Sequence, residues 1–170
     1  MATRRIELPN GNIEYRNEFG ELHNEHGPAL VDAVTGKTEY RVNGQLHSLN
    51  GEPAVIEKDG TKEWYTDGKR HRDGDKPAVE RIDGTRMWYQ NDKLHRDNDK
   101  PAVMESDGYK EWYKNGKVHR DGDKPARVFP NGTKLWYKNG NKHRDNDKPA
   151  IEWADGSKSY YRNGRAYEYK

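Results

Sequence analysis

Histidine recurs at 23, 47, 71, 95, 119 and 143, always 24 residues apart, and from His71 to His143 each is followed by Arg and Asp. A His-Arg-Asp run brings together an acid–base group, a cation and a carboxylate, the side chains of proton transfer and metal ligation. A second aspartate follows two residues on, giving Asp73/Asp75, Asp97/Asp99, Asp121/Asp123 and Asp145/Asp147. Paired carboxylates in a Gly/Asn-rich loop suit calcium, which needs roughly six to eight oxygens. Here a Lys follows each pair at once, and Asp also favours turns for reasons of its own. Trp-Tyr falls at 64, 88, 112 and 136, with Lys and Arg interleaved, which is the chemistry of a platform for stacking bases or sugars.

Repetition argues against catalysis. An active site needs a unique constellation of base, nucleophile or acid, and an orienting group. Nearly every His, Asp, Glu and Arg of this chain sits at a repeated position. The expectation is therefore a protein that is not an enzyme, with no catalytic residues, no metal and no cofactor. Trp64, Trp88, Trp112 and Trp136, with His71, His95, His119 and His143, read as structural rows of half-buried packing residues. If that histidine row is buried, burial favours the neutral ring and acid should loosen the array.

Those residues sit in a repeated unit. Pro-Ala recurs at 28, 53, 77, 101, 125 and 149, and the working consensus is Pro-Ala-Val-Glu-x-x-Asp-Gly-Thr-Lys-x-Trp-Tyr-x-Asn-Gly-Lys-x-His-Arg-Asp-x-Asp-Lys. Self-similarity at fixed spacing is the mark of a repeat architecture. The chain reads as one array over 1–170: a degenerate N-terminal unit at 1–23, five regular units over 24–148 and a truncated C-terminal unit at 149–170. Each unit carries two turn signals. One is Asp-Gly or Asn-Gly at 59–60, 83–84, 107–108, 131–132 and 155–156. The other is Asn-Gly at 43–44, 115–116, 139–140 and 163–164, with Asp67-Gly68 and Asn91-Asp92 as variants. Both dipeptides suit the type I′ turn of a tight hairpin. Gly and Pro come too often for a helix. The expected fold is all-β: about seven 24-residue units, each of three short antiparallel strands, forming an elongated twisted meander or, less in keeping with paired hairpin turns, a solenoid. Single units are too small to bury a core, so stability must come from neighbours.

If both turns hold two residues, the flanking residues face each other and the register follows. Val55 then opposes Trp64, which opposes His71. The same arithmetic gives Val79–Trp88–His95, Val103–Trp112–His119, Arg127–Trp136–His143 and Ile151–Tyr160–Tyr167. Lys62, Arg86, Lys110, Lys134 and Lys158 form a basic column on the Trp face, and Glu57 and Glu105 oppose two of them.

Composition sets the outer limits. Of 170 residues, 35% are charged and only 30% hydrophobic, yet 11 Tyr and 5 Trp are more aromatics than disordered tails carry. No run approaches the ~20 apolar residues of a membrane span. Met1-Ala2-Thr3-Arg4-Arg5 runs into Glu7 and Pro9 without an apolar core, so no secretory leader is expected. The expected location is the cytoplasm, that of a host if the chain is viral. With no Cys, thiol chemistry and disulfides are excluded. A net charge of +2, from 31 basic against 29 acidic residues, gives no reason to expect nucleic acid or membrane as partner.

Through its Trp-Tyr-x-Asn-Gly-Lys-x-His-Arg-Asp-x-Asp-Lys-Pro-Ala units, from about Tyr15 to Tyr161, the chain resembles tandem hairpin repeats of phage and giant-virus hypothetical proteins. It also looks like a distant variant of MORN repeats, and more weakly like choline-binding and toxin-type cell-wall repeats. The resemblance implies a non-enzymatic β-repeat scaffold used in binding, and brings no catalytic residues with it.

Departures from the repeat mark function better than the repeat itself. They include Phe19, His26, Leu49, Met87, Met104, Tyr109, Arg127, Phe129, Leu135 and Trp153. Phe129 and Trp153 stand where other units carry a charge, two residues before their turns. With Tyr109 and Arg127 they are the candidate binding residues, since exposed aromatics mark protein interfaces. The expected function is binding of another protein, as a phage- or virus-encoded inhibitor of a host factor. The alternatives are a module for sugars or nucleotides with pockets between aromatic rows, and a structural or virion spacer forming homo-oligomers through its terminal strands.

Overall fold

The computed structural model describes residues 3–169. Met1 and Ala2, which open the polar N-terminus, and Lys170 lie outside the described residues. All regular structure among the described residues is β, in short antiparallel strands that follow one another as a meander. The chain divides into two compact units, Met1–Ile82 and Asp83–Lys170.

In the first unit the sheet runs through Arg4–Glu7, Ile13–Arg16, Leu30–Val31, Thr38–Glu39, Val55–Ile56, Lys62–Glu63 and Val79–Glu80, each antiparallel to the next. In the second it runs through Arg86–Met87, Val103–Met104, Lys110–Glu111, Arg127–Val128, Lys134–Leu135, Ile151–Glu152, Lys158–Arg162 and Arg165–Tyr167. Two-stranded hairpins branch from each sheet, for example Tyr65–Thr66 with Lys69–Arg70 and Tyr113–Lys114 with Lys117–Val118.

A full repeat therefore holds four strands where three were expected. The long middle strand is broken at its tryptophan. The Trp112 N–H donates to the Ala126 carbonyl at 2.8 Å, toward the next sheet strand, while its own carbonyl accepts from the His119 N–H at 3.0 Å, in its hairpin. Trp64 and Trp136 are bonded in the same way. One residue thus serves two ladders, and the chain leaves the sheet there.

The two turn signals also differ. At Asn115-Gly116 both residues take positive φ, 51° and 80°, and Lys114 faces Lys117, as a two-residue type I′ turn requires. At Asp107-Gly108 only the glycine does, with φ 99°. There the Glu105 N–H donates to the Tyr109 carbonyl at 3.0 Å, so the loop between them holds three residues ending on a left-handed glycine. The Asp107 carboxylate accepts the Tyr109 N–H at 2.8 Å, an Asx cap that any residue without a short side-chain acceptor would lose.

One extra loop residue shifts the register by one. Val55 opposes Glu63, Val103 opposes Glu111, Arg127 opposes Leu135 and Ile151 opposes Ser159. The expected Val–Trp pairings, and the opposition of Glu57 and Glu105 to lysines, are corrected accordingly. The Trp–His and Tyr160–Tyr167 halves of the rows hold, because their turn has two residues.

The core is thin and repetitive. Ala54, Ala78, Ala102, Ala126 and Ala150 have no exposed surface, and Trp64, Trp88, Trp112 and Trp136 are buried beside Val55, Val79, Val103 and Ile151. The Pro-Ala of each repeat is thus a packing position where a methyl group fills the space.

Gly108 tests the turn assignment. A Cβ there meets nothing within 4 Å, so strain at φ 99° is the whole cost of adding one. Gly108→Ala is expected to lower stability by roughly 1–2 kcal/mol in thermal unfolding. Asn115→Gly, in the other turn, should change it by a few tenths.

Candidate functional site

In the second unit the His-Arg-Asp runs join successive repeats. In the second unit, the Nδ1 atoms of His95, His119 and His143 accept the backbone N–H groups of Asn115, Asn139 and Asn163 at 3.0, 3.0 and 3.1 Å. In the first unit His23 does the same for Asn43 at 3.1 Å. The glycine beside each asparagine donates to the preceding repeat as well: Gly116 to Leu94, Gly140 to Val118, Gly164 to Lys142, at 2.8–2.9 Å. At the other end of the ring, Nε2 meets the aspartate two residues on: His95 with Asp97, His119 with Asp121, His143 with Asp145, at 2.8–3.0 Å. An acceptor at Nδ1 and a donor at Nε2 define the neutral tautomer. A protonated ring has no acceptor to offer the turn. The histidines are therefore hydrogen-bonding connectors, more than the packing residues expected.

The arginine of each run lies flat on a tryptophan. The guanidinium carbons of Arg72, Arg96, Arg120 and Arg144 are 3.6–3.9 Å from the ring centroids of Trp64, Trp88, Trp112 and Trp136. Each also donates through Nη1 to a proline carbonyl, those of Pro77, Pro101, Pro125 and Pro149, at 3.2 Å. Such stacking contributes up to about 2 kcal/mol where the pair is desolvated. It also covers the tryptophan faces a sugar or base would need.

In the second unit the second aspartate of each pair holds the following repeat. Asp99 takes a two-pronged ion pair from Arg120, at 2.6 and 3.1 Å, and a third contact from Lys124 at 2.6 Å. Asp123 does the same with Arg144 and Lys148, and Asp147 pairs with Arg162. The guanidinium bonds hold the carboxyls of Asp99 and Asp123 down at about 2. These pairs spend on neighbouring cations the oxygens a calcium site would need. No group of three or more His, Asp or Glu side chains with metal-binding geometry occurs among the described residues.

Between successive runs the second unit has two clefts, of about 390 and 350 Å³, related by the 24-residue shift. Trp112, His119 and Arg120 line one, and Trp136, His143 and Arg144 the other. Their polar walls are mostly paired with each other. One exception is Trp136: its buried indole N–H has no acceptor, whereas the Trp112 indole donates to the Asp99 carbonyl at 3.0 Å. The loop before Trp112 has Asn98 and Asp99 both at positive φ. In the loop before Trp136 only Gly122 is left-handed, so the chain takes a different path.

The non-repeated candidates fall into two sets. Tyr109 and Phe129 flank the adjacent strands Lys110–Glu111 and Arg127–Val128, with ring centroids 5.0 Å apart. Continuing across the sheet, Thr133 and then Trp153 follow Phe129 in the same row. Trp153 is 45% exposed and its indole donates to Ser159 Oγ. Arg127 turns inward instead. It pairs with buried Glu111 at 2.5 Å and donates to the Tyr137 hydroxyl at 3.1 Å. The Tyr109 hydroxyl donates to the other Glu111 oxygen at 2.9 Å. Burial, then the Glu111 charge, pushes the Tyr109 hydroxyl far above its ordinary value. Glu111 is thus the hub that holds both the Tyr109 hydroxyl and the Arg127 guanidinium in place.

Compared with known proteins, the chain matches no family model and no curated protein.

Two expectations check the inter-repeat bonds. His119→Leu leaves the Asn139 N–H without its acceptor and should cost about 1–3 kcal/mol in urea unfolding. For Asp99 and Asp123 the folded values lie below the ordinary 3.8. Their stabilisation is then complete above 3.8 and lost as pH falls through about 2. Partial exposure screens these pairs, at 39% and 43% for the two carboxylates. The D99N/D123N variant should accordingly lose less stability than the parent between pH 5 and pH 2.5.

Proposed function

We propose that this protein is a non-catalytic β-repeat scaffold that binds another protein through the Tyr109–Phe129–Trp153 row of its second unit. The observation that supports this is the row itself. Equivalent sheet positions in the first unit are polar, with Lys37 ion-paired to Glu57, and Thr61 continues the row on the next strand. Packing alone favours identical repeats, so a run of aromatics on one stretch of sheet, braced beneath by Glu111 and Arg127, calls for another cause. Tyr and Trp are the side chains that anchor protein interfaces. The likeness of the repeat to those of phage and giant-virus proteins supports a host protein as the partner.

The two equivalent clefts favour a second reading, a module for sugars or nucleotides. Against it, the tryptophan faces there are covered by Arg120 and Arg144, and most of the charged walls are already paired.

Native mass spectrometry of the purified chain, with and without lysate of its source cells, separates the two. A single protein-sized mass added at 1:1 is expected. It should be lost in F129S/W153S and kept in F19S, which removes an aromatic that is 74% exposed in the first unit. Several equal small increments would instead establish the repeated clefts as the sites.

A further inference from the structure

The whole-chain charge hides a division. Met1–Ile82 carries twelve Lys and Arg against fifteen Asp and Glu, a net of −3, whereas Asp83–Lys170 carries nineteen against fourteen, a net of +5. The excess has a definite place in the second unit. Arg86, Met104, Lys110, Val128, Lys134, Glu152 and Lys158 stand opposite one another on seven successive strands, in one unbroken cross-strand row. Their strand neighbours Val103, Glu111, Leu135 and Ile151 are buried, so this row faces outward. Arg86, Lys110, Lys134 and Lys158 are all exposed.

With strands about 4.8 Å apart, the four cations stand about 10 Å from one another along a strip of about 29 Å. None of the four side chains has an ion pair or hydrogen bond among the described residues. Other basic side chains of this unit behave differently: Arg120, Lys124, Arg127, Arg144 and Lys148 are all ion-paired. The register puts Met104 and Val128, not Glu105, beside Lys110. The one acid in the row, Glu152, is held by Arg144 at 2.7 Å. The nearby turn carboxylates of Asp107 and Asp155 cap backbone N–H groups. The corresponding row of the first unit reads Ile13, Val31, Thr38, Ile56, Lys62 and Glu80, with a single cation.

We propose that this outward row is a docking strip for the phosphate backbone of a nucleic-acid duplex. A duplex presents one negative charge per ~1.7 Å of its axis, a dense and regular array of anions that a row of evenly spaced cations complements. The strip has no aromatic ring, so it offers no stacking platform for single strands. None of its seven members is a Trp, a Tyr or a buried Arg, the anchors of a specific protein interface, and its half-buried Met104 and Val128 do not project as a lipid-inserting group would. Evenly spaced, unpaired cations read charge and not sequence, so the contact is non-specific and salt-sensitive. This strip faces away from the buried side of the sheet on which Glu111 and Arg127 brace the aromatic row, so the two proposals stand or fall separately.

The test uses the full chain and a fluorescent 20-base-pair DNA duplex, with anisotropy read from low to moderate sodium chloride. Four phosphate contacts predict a slope of about −3.6 for log K against log salt. K110Q/K134Q/K158Q should weaken binding at least tenfold and bring the slope to about −1. The charge-matched K69Q/K93Q/K117Q variant, altered only on exposed hairpin lysines, should bind as the parent does. Circular dichroism and the melting temperature establish that both variants fold. The proposal is overturned if the duplex does not bind at low salt, or if the two variants weaken it equally. It is also overturned if a single strand of the same length, poly-glutamate or phosphatidylserine vesicles bind more tightly than the duplex.

Discussion

Each Asn-Gly turn exposes two N–H groups that its own hairpin cannot use, and the preceding repeat takes both. One goes to a strand carbonyl and the other to the Nδ1 of a histidine, as where Gly140 meets Val118 and Asn139 meets His119. Strand ladders of two residues bury little surface and supply few hydrogen bonds, so no hairpin here would hold alone. Within each unit the imidazoles of His23, His95, His119 and His143 connect a hairpin to the one before it. The far nitrogen of His95, His119 and His143 is tied to an aspartate on its own loop, which fixes both ring orientation and tautomer. Regular 24-residue spacing follows, because a repeat of another length would move the turn away from the ring.

Arginine does a second, parallel job. Its plane covers the tryptophan face, its Nη1 reaches a proline carbonyl, and the same guanidinium grips the preceding repeat's aspartate in Arg120 and Arg144. A lysine could not meet all three demands, since a point charge has no stacking plane and no fork. One consequence bears on function. The side chains with the richest chemistry are consumed in joining repeats.

The second unit carries two candidate surfaces: aromatic departures at Tyr109, Phe129 and Trp153 fall on one row, and Arg86, Lys110, Lys134 and Lys158, whose side chains have no ion pair among the described residues, on another, of opposite facing. A strand presents alternate residues to opposite faces, so neighbours such as Tyr109 and Lys110 serve two surfaces at once.

The sequence by itself determined the all-β class, the period, the position of both turns and the pairing of Trp with His, because a two-residue Asn-Gly turn fixes the register of its own hairpin. It also marked the departures that later proved to share a row. It did not determine the loop length at Asp-Gly. The same dipeptide closes a two-residue loop with both residues left-handed, as at Asp67-Gly68, or ends a three-residue loop with only glycine so, as at Asp59-Gly60. Local propensity is alike for both, and the choice falls to which residues the sheet must bury. With the second loop, Val55 and Val103 face the buried side together with Glu63 and Glu111, and the lysines turn outward unopposed. Nor did the sequence show that Trp64 would end one ladder and begin another, or that Asp99 would be held by a cation 21 residues on. Both depend on where the next repeat lies, and only the assembled array sets that distance.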